Sequence, residues 1–354
     1  MKKAFFIAAV AIAAFASCTK NEVLTAEQSE IKFAATVGTA TKAVAGELTD
    51  NAYPTNENFN VYGVWHQEDF TSWDASSLYM DDVKTEYNSS VNGWVAINKH
   101  YWPKNGKMTF AAYSPSDVNA EGHDYTATGL KLTGFQVEAD AKNHVDVLYS
   151  ERSYNKVKGS DDNTNVDYNE VDIDFKHALS SIQFTARKRY PFIGTEIKLQ
   201  NVSVYGVFTK GDFDEKVNEA AAGYESDPTW SNHSSSLDKT LPYIYYSNPA
   251  GKVLDDIKWA MNGQDNQTDL ICLPQPLTEN AKAIVSYSIN PPGDDTPAVN
   301  VTVEARLDEI VGKEWEPGRR YIYNIVIDLD EIYFAPEVEA WDDVNVHITP
   351  EVVF

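Results

Sequence analysis

The feature that most constrains the fold is a two-residue alternation of apolar and polar side chains. It is clearest in residues 321–329 and recurs in residues 301–307 and 283–289. Successive side chains of a strand point to opposite faces, so this period is typical of half-buried antiparallel strands. Turn-forming clusters such as "PPGDD" from Pro291 and "WEPGRR" from Trp315 lie between or beside these segments. The sequence therefore predicts an all-β protein.

Length and an internal similarity indicate two domains. The chain has 354 residues, whereas one domain usually has about 100 to 200. "VYGVW" at 61–65 and "VYGVF" at 204–208 are each followed by a Pro-containing segment that leads into an alternating strand. Between the halves, residues 150–170 are polar and nearly free of aliphatic side chains, as in a domain-joining loop. We expect two tandem β-sandwiches, at 43–165 and 166–354.

The first residues are typical of an export signal. Lys2 and Lys3 precede an apolar run, residues 4–16, that is too short to span a bilayer as a folded helix. The following "FASC" resembles the bacterial lipobox, where a signal peptidase cuts before a lipid-modified cysteine. We expect a signal peptide at 1–17 and acylation of Cys18, with plain secretion as the alternative. Two acyl chains are enough to hold a protein on a membrane.

Charge and absent motifs exclude several classes of function. The chain has 53 acidic and 29 basic residues, a net charge of −24, which repels nucleic acid and argues against binding it. It lacks the GxSxG, HExxH and GxxxxGK[ST] motifs and any Cys-x-x-Cys pair, so we predict no catalytic residues, no cofactor and no enzyme activity. If Cys18 is acylated, no internal disulfide can form. Cys272, between Ile271 and Leu273, is typical of a buried small hydrophobe.

Two weaker signals concern metal ions. Residues 161–167 imitate the start of a calcium loop, but Val166 stands where that loop needs Gly and Asp172 where it needs a bidentate Glu. His177 is a candidate ligand, although a lone histidine among strand residues is more often structural. We therefore predict no metal site.

Seven segments together resemble the fimbrillin family of Bacteroidales surface fimbriae, the lipoprotein-derived type V pilins. They are the lipobox, "EIKFAATVGTATKA", "FNVYGVW", "YWPKNGKMTFAAYSP", "VDIDFKHALSSIQFTA", "ICLPQPL" and "WEPGRRYIYNIVIDLDEIYFAPEVEAWDD", in the order found in the family. The resemblance implies two sandwiches of transthyretin-like topology and export to the outer membrane as a lipoprotein. It also implies cleavage by a surface trypsin-like protease, after which a neighbouring subunit's strand fills the groove left by a released N-terminal strand.

The N-terminal parts of that mechanism can be named here. Cleavage is expected between Lys42 and Ala43, in a turn of small and polar residues, which makes 18–42 a propeptide. The best-known relatives are cut after Arg, and the first Arg of this chain is Arg152. The inward face of the removable strand is expected to consist of Ile31, Phe33, Ala35 and Val37.

At the other end, residues 344–354 are a candidate donor strand. Val344, Val346 and Ile348 alternate with polar residues, and Pro350 follows. The alternative is that this strand closes the sheet of its own domain.

We therefore expect a structural subunit of a cell-surface fimbria that supports adhesion to a host or bacterial surface ligand. Its partners are other fimbrial subunits, identical or homologous, and the outer-membrane lipid reached through acylated Cys18. Its location is the outer membrane and, after processing, the fimbrium. An anchor or tip role stays open. The alternative of another class is a monomeric surface lipoprotein that binds glycans by stacking sugars on exposed Trp65, Trp73 or Trp94.

Overall fold

The computed structural model describes residues 29–37, 52–158, 170–190, 194–218, 225–261, 269–293, 297–310, 312–329, 331–341 and 352–353. In these ranges the protein is built from strands, with one short helix, α1 (Leu307–Ile310), and two 3-10 turns at Ala75–Ser77 and Ala141–Asn143. The strands form several sheets in a sandwich-like arrangement, which confirms the predicted all-β class. No helix in the described part of the chain is long and apolar enough to cross a membrane.

The strands have the following bounds. The first nine are β1 (Lys32–Val37), β2 (Phe59–His66), β3 (Leu78–Asn88), β4 (Gly93–Ala96), β5 (Lys107–Ser114), β6 (Gly122–Thr126), β7 (Gly129–Gln136), β8 (Leu148–Ser150) and β9 (Ser153–Lys156). The others are β10 (Glu170–His177), β11 (Ser180–Lys188), β12 (Glu196–Tyr205), β13 (Phe208–Asp214), β14 (Thr229–Ser236), β15 (Tyr243–Val253), β16 (Trp259–Ala260), β17 (Leu270–Cys272), β18 (Gln275–Pro276), β19 (Lys282–Asn290), β20 (Val299–Arg306), β21 (Glu314–Trp315), β22 (Arg319–Ile327), β23 (Ile332–Ala340) and β24 (Val352–Val353).

The largest sheet closes on itself. Its order is β2-β3-β4-β1-β10-β8-β5-β9, and β5 also pairs with β2 from Asn60↔Tyr113 to His66↔Lys107. The path β2-β3-β4-β1-β10-β8-β5 therefore returns to β2, and we refer to these seven strands as the ring. Closure pairs the edges that an open sheet would expose. β1 is thus a part of the wall, with a neighbour on each side.

Aromatic side chains from distant parts of the sequence fill the ring. Phe33 of β1 contacts Phe110 of β5 edge to face, with centroids 5.5 Å apart. Phe59 of β2 contacts Phe175 of β10 in the same way at 5.3 Å. All four are fully buried. The ring core therefore depends on a side chain supplied by the first strand.

A second core lies between two further sheets. One has the order β16-β11-β22-β23-β24, with β17 also on β11, and the other has the order β15-β12-β19-β20. Phe184 of β11 meets Tyr245 of β15 across this core, with centroids 5.0 Å apart. The predicted alternating strands are confirmed as β19, β20 and β22. Cys272 is buried in β17, as expected.

A fourth sheet joins the two halves, and we refer to it as the seam sheet. Its order is β14-β13-β7-β6, so β6 and β7 come from the first half and β13 and β14 from the second. It packs on the outer face of the ring, where Tyr149 contacts Phe213 at 5.5 Å and Tyr62 contacts Tyr125 at 5.4 Å between centroids. The boundary at residue 165 stays a prediction. β10, which follows it in the sequence, pairs with β1.

The two similar pentapeptides have different structures. "VYGVW" lies within the continuous strand β2, whereas "VYGVF" spans the end of β12 and the start of β13. Gly206 between them has φ of +74°, a conformation that favours glycine. A Cβ at Gly206 would lie 1.7 Å from the Asn280 carbonyl oxygen. Here glycine permits a turn against neighbouring backbone, so the likeness does not mark equivalent elements.

Candidate functional site: the groove filled by the first strand

Both edges of β1 are hydrogen-bonded. β10 pairs with it in parallel along its whole length, and β4 pairs with it in an antiparallel manner through two residues. Flanking segments complete the second edge: Ile31 N–H donates to the His100 carbonyl at 2.9 Å, and Tyr53 N–H donates to the Ala35 carbonyl at 3.1 Å. Without β1, the facing edges of β4 and β10 would lose their backbone partners.

The inward face of β1 is buried. Ile31, Phe33, Ala35 and Val37, which the alternation assigned to this face, are at most 4% exposed. Burying the three larger side chains contributes on the order of 5 to 8 kcal/mol. A whole domain is stable by only about 5 to 15 kcal/mol. The groove therefore needs an occupant, and whether β1 can be exchanged for another strand stays a prediction.

Polar contacts on the other face fix β1 against β10. The Lys32 Nζ lies 3.1 Å from Glu170 Oε1, and the Thr36 hydroxyl donates to Asp174 Oδ1 at 3.2 Å. Both contacts reach solvent, and exposed ion pairs contribute about 0 to 1 kcal/mol. They favour one register of β1 against β10 but contribute little to its stability.

Tyr53 is a groove residue that the sequence analysis missed. Its buried ring lies 5.2 Å from that of Phe175 and 5.7 Å from that of Trp94, between centroids. Its hydroxyl lies 2.7 Å from Ser114 Oγ and donates to the Asn58 carbonyl at 2.9 Å. Burial raises the pKa of the phenol, which keeps the proton for that bond. A lone aromatic residue in the polar stretch "TDNAYPTNEN" was the available signal.

The other predicted site residues lie outside the described part of the chain. These are Cys18, Lys42, Ala43, Val344, Val346 and Ile348. Lipidation, cleavage and strand donation therefore stay predictions. The nearest described element is β24, which pairs with β23 at Phe334 and Tyr333. That pairing is the arrangement expected where the C-terminal strand closes its own sheet.

Segments that carry the family resemblance meet where the ring joins the second core. His177 of "FKHALS" ends β10, and its imidazole stacks on the indole of Trp341, from "WDD", with centroids 3.8 Å apart and planes 5° apart. His177 Nδ1 is also bonded to Asp146 Oδ2, and both side chains are fully buried. The backbone N–H of Trp341 donates to the Gly318 carbonyl at 2.8 Å. His177 thus has a structural role.

The "LPQPL" and "WEPGRRYIY" segments also contact each other. Gln275 accepts from Phe208 N–H at 2.6 Å and donates to the Phe208 carbonyl at 3.0 Å. β18 pairs Gln275 with Trp315, whose indole N–H donates to the Tyr323 hydroxyl at 3.0 Å. The Gln275 side chain therefore ties β13 of the seam sheet to β18, within the second half of the chain.

The tryptophans offer little to a glycan. Trp65 is 37% exposed, but Trp73 and Trp94 are each only 6% exposed. The prediction of an exposed indole is wrong for the latter two, because Trp73 packs on Tyr125 at 4.5 Å and Trp94 on Tyr87 at 5.0 Å between centroids. A sugar-stacking platform made of several of these indoles is therefore not present.

Arg152 is not an accessible cleavage site in the folded chain. It is 6% exposed, and its guanidinium lies 4.9 Å from the centroid of the Trp73 ring. It also donates to the Tyr125 hydroxyl at 3.1 Å. A trypsin-like protease that acts on the folded chain must therefore cut elsewhere.

The calcium-like residues 161–167 lie outside the described part of the chain, and Asp172 lies on β10. In the described ranges no group of three or more His, Cys, Asp or Glu side chains is placed to hold a metal ion.

Comparison with known proteins adds the family. The sequence matches the model of fimbrillin-like proteins over residues 41–341. A fimbrial protein from Bacteroides vulgatus ATCC 8482 aligns with a TM-score of 0.59 at 16% identity, over 88% of this chain and 100% of that chain. A protein with a proposed role in cell adhesion from Bacteroides uniformis ATCC 8492 aligns with a TM-score of 0.49 at 14% identity, over 88% and 98% of the two chains.

No curated protein matches the sequence. The first structural alignment shows a shared fold, and the family match covers most of the chain, which confirms the resemblance seen in the sequence. The chain belongs to the fimbrillin-like family of surface fimbrial proteins.

Proposed function

We propose that this protein is a structural subunit of a cell-surface fimbria that polymerises by strand exchange and supports adhesion. The observation that carries the proposal is the position of β1, a strand close to the N-terminus whose inward side chains fill a closed ring. A strand in that position can be cut from the chain without breaking any other strand of the ring. Its loss opens a groove with an apolar floor and two unpaired edges, which is the acceptor that strand addition requires.

The proposed sequence of events uses both ends of the chain. Acylated Cys18 carries the chain to the outer membrane, and a trypsin-like protease then cuts between Lys42 and Ala43. Lipid and β1 leave together, because both lie on the N-terminal side of the cut. The segment with Val344, Val346 and Ile348 from another subunit then fills the groove.

After the cut, Tyr53 holds the new N-terminal region of the chain in place. It lies on the C-terminal side of the cut, and its ring contacts those of Phe175 and Trp94, which stay in the chain when β1 leaves. Its N–H, which donates to the Ala35 carbonyl of β1, becomes available to the incoming strand. Tyr53 therefore forms part of the acceptor edge.

Limited trypsin digestion of the precursor without its signal peptide tests the proposal. We expect one early cut that gives Ala43 as the new N-terminus, followed in concentrated samples by filaments in electron microscopy and ladders on gels of unboiled samples. The matched control is Lys42→Gln, which should resist that cut and stay monomeric.

Two results would contradict the polymerising role. If the cut occurs and β1 leaves but the product stays monomeric even at high protein concentration, an anchor or tip role is favoured. If Lys42→Gln is cut and polymerises like the native chain, Lys42 is not the processing site.

A further inference from the structure

The C-terminal segment leaves the described fold at the mouth of the groove. β10 pairs Phe175 with Val37, the last residue of β1, and ends two residues later at His177. Side chains two residues apart on a strand lie on the same face, so His177 continues the row that Phe175 contributes to the ring core. The indole of Trp341 stacks on His177. Trp341 therefore lies where the floor of the groove ends.

This root of the C-terminal segment is firmly held. Trp341 is 2% exposed and is tied through its N–H to the Gly318 carbonyl. The bond between Asp146 and His177 fixes the other half of the stack. Whatever the C-terminal segment binds, it starts from this point.

The segment is long enough to fill the groove of its own chain. Thirteen residues follow Trp341, and an extended chain rises about 3.3 Å per residue, so they reach about 43 Å. β1 has six residues, or about 20 Å at the same rise. A strand that enters at the Val37 end would run opposite to β1 and antiparallel to β10.

Charge selects one register for such a strand. If Val344 takes the place of Val37, the outward residues beside Asp174, Asp172 and Glu170 are uncharged or basic: Asn345, His347 and Thr349. A shift of two residues in one direction puts Asp343 beside Asp174, and a shift in the other puts Glu351 beside Glu170. Like charges directly opposite each other destabilise a sheet. In the favoured register, Val346 and Ile348 replace Ala35 and Phe33.

We infer that, once β1 has left, the C-terminal segment of the same chain inserts into the vacated groove and holds the subunit as a capped monomer. This inference rests on the proposed function, because it requires β1 to leave. Two residues, 342 and 343, connect the root to the inserted strand, and a tether this short gives an effective concentration on the order of millimolar. Insertion within one chain therefore outcompetes a second copy in dilute solution. Polymerisation begins where subunits crowd together.

Disulfide trapping tests the inference in the full mature chain. Asp174→Cys and Asn345→Cys are combined in a Cys18→Ser, Cys272→Ala background, and β1 is expelled from the apolar groove by Phe33→Asp with Val37→Asp. Mild oxidation at about 1 µM should give at least about tenfold more intramolecular than intermolecular disulfide. The control is the same cysteine pair with native β1, which should give neither product. The chain cut after residue 42 and freed of its N-terminal fragment provides a second sample without the two aspartates.

Mixing the two single-cysteine proteins separates this inference from the proposed function. Intramolecular disulfide in the double-cysteine protein, with little heterodimer in the mixture, supports capping. If the mixture gives heterodimers and the double-cysteine protein gives ladders without the intramolecular disulfide, capping is overturned. Strand exchange would be left intact. Absence of both disulfides would also overturn capping, and filament formation by the cut chain would then decide strand exchange separately.

Discussion

The first and the last strand that the structure describes are attached in different ways. β1 has six residues, is paired on both edges and supplies three buried side chains to the ring core, and Ile31 directly before it is buried as well. β24, which is the part of the C-terminal segment that the structure describes, has two residues and pairs with β23 at the end of the six-stranded sheet. The first strand is therefore costly to remove, whereas the described pairing of β24 is short. The proposed strand exchange needs both a groove that must be filled and a C-terminal strand with little to hold it in its own sheet.

The largest expected effect comes from the first strand. Phe33→Ala removes a fully buried ring between Phe59 and Phe110, so we expect it to lower the free energy of unfolding by about 3 to 5 kcal/mol. Urea denaturation measures this loss. Tyr190→Ala, at a ring that is 54% exposed, is the control and should change stability by less than about 0.5 kcal/mol. A loss below about 1 kcal/mol for Phe33→Ala would remove the contrast between the two ends.

A buried carboxyl beside the seam sheet can show whether the ring and the seam sheet respond independently to a change in stability. Burial raises the pKa of Glu215 to about 7, with Leu130 N–H and Arg152 acting against it. The folded chain thus binds this proton more tightly than the unfolded chain, so its stabilising effect is complete below about pH 4.5 and is lost as the pH rises through 7. Glu215→Gln should raise the free energy of unfolding above pH 7 by up to about 3 kcal/mol and flatten its pH dependence.

Urea denaturation from pH 4 to 8 checks the Glu215 prediction, with exposed Glu86→Gln as the control. Amide hydrogen exchange in β1 should be the same in Glu215→Gln as in the native chain. Equal pH profiles for the native chain and Glu215→Gln would show that this carboxyl does not govern the seam, and altered exchange in β1 would show that ring and seam respond together.

Removing the last strand should have a smaller effect. A chain that ends before Val352 loses the pairing with Tyr333 and Phe334 that the structure describes, so we expect a loss of at most about 1 kcal/mol in the same denaturation assay. A loss as large as that of Phe33→Ala would mean that the C-terminal strand is a fixed part of its own sheet. It would then be a poor donor.

The smallest effect belongs to the ion pair on the outer face of β1. A double-mutant cycle with Lys32→Ala and Glu170→Ala should give a coupling energy of about 0.2 to 1 kcal/mol that falls with added salt, because both side chains reach solvent. A coupling that is larger and insensitive to salt would mean that β1 is held by its polar face as well as by burial.

Local pattern was enough to predict strands and the faces they bury. The alternation in residues 283–289, 301–307 and 321–329 identified β19, β20 and β22, and the same period placed Phe33 and Val37 inward. These inferences succeed because the period of two is a property of one strand and needs no knowledge of its neighbours.

Strand neighbours could not be predicted, because period two gives a face and not a partner. β1 pairs with β10, so that Lys32 meets Glu170 138 positions later, and the ring closes through β2 and β5. The roles of Tyr53 and Trp341 depend on those pairings. The exposure predicted for Trp73 and Trp94 was wrong for the same reason, since their covering rings come from other strands.

We propose that β1 fills a groove that the C-terminal segment can also fill. The most direct test uses a chain that ends at Trp341, is cut after residue 42 and carries a fluorophore on the N-terminal fragment, so that the added peptide is the only C-terminal strand present. A peptide of residues 342–354 should release the labelled fragment at least about tenfold faster than the same peptide with Val346→Asp, because the groove rejects a buried charge. If the fragment stays bound, or leaves equally fast with either peptide, the groove does not accept this strand and the account of exchange is contradicted.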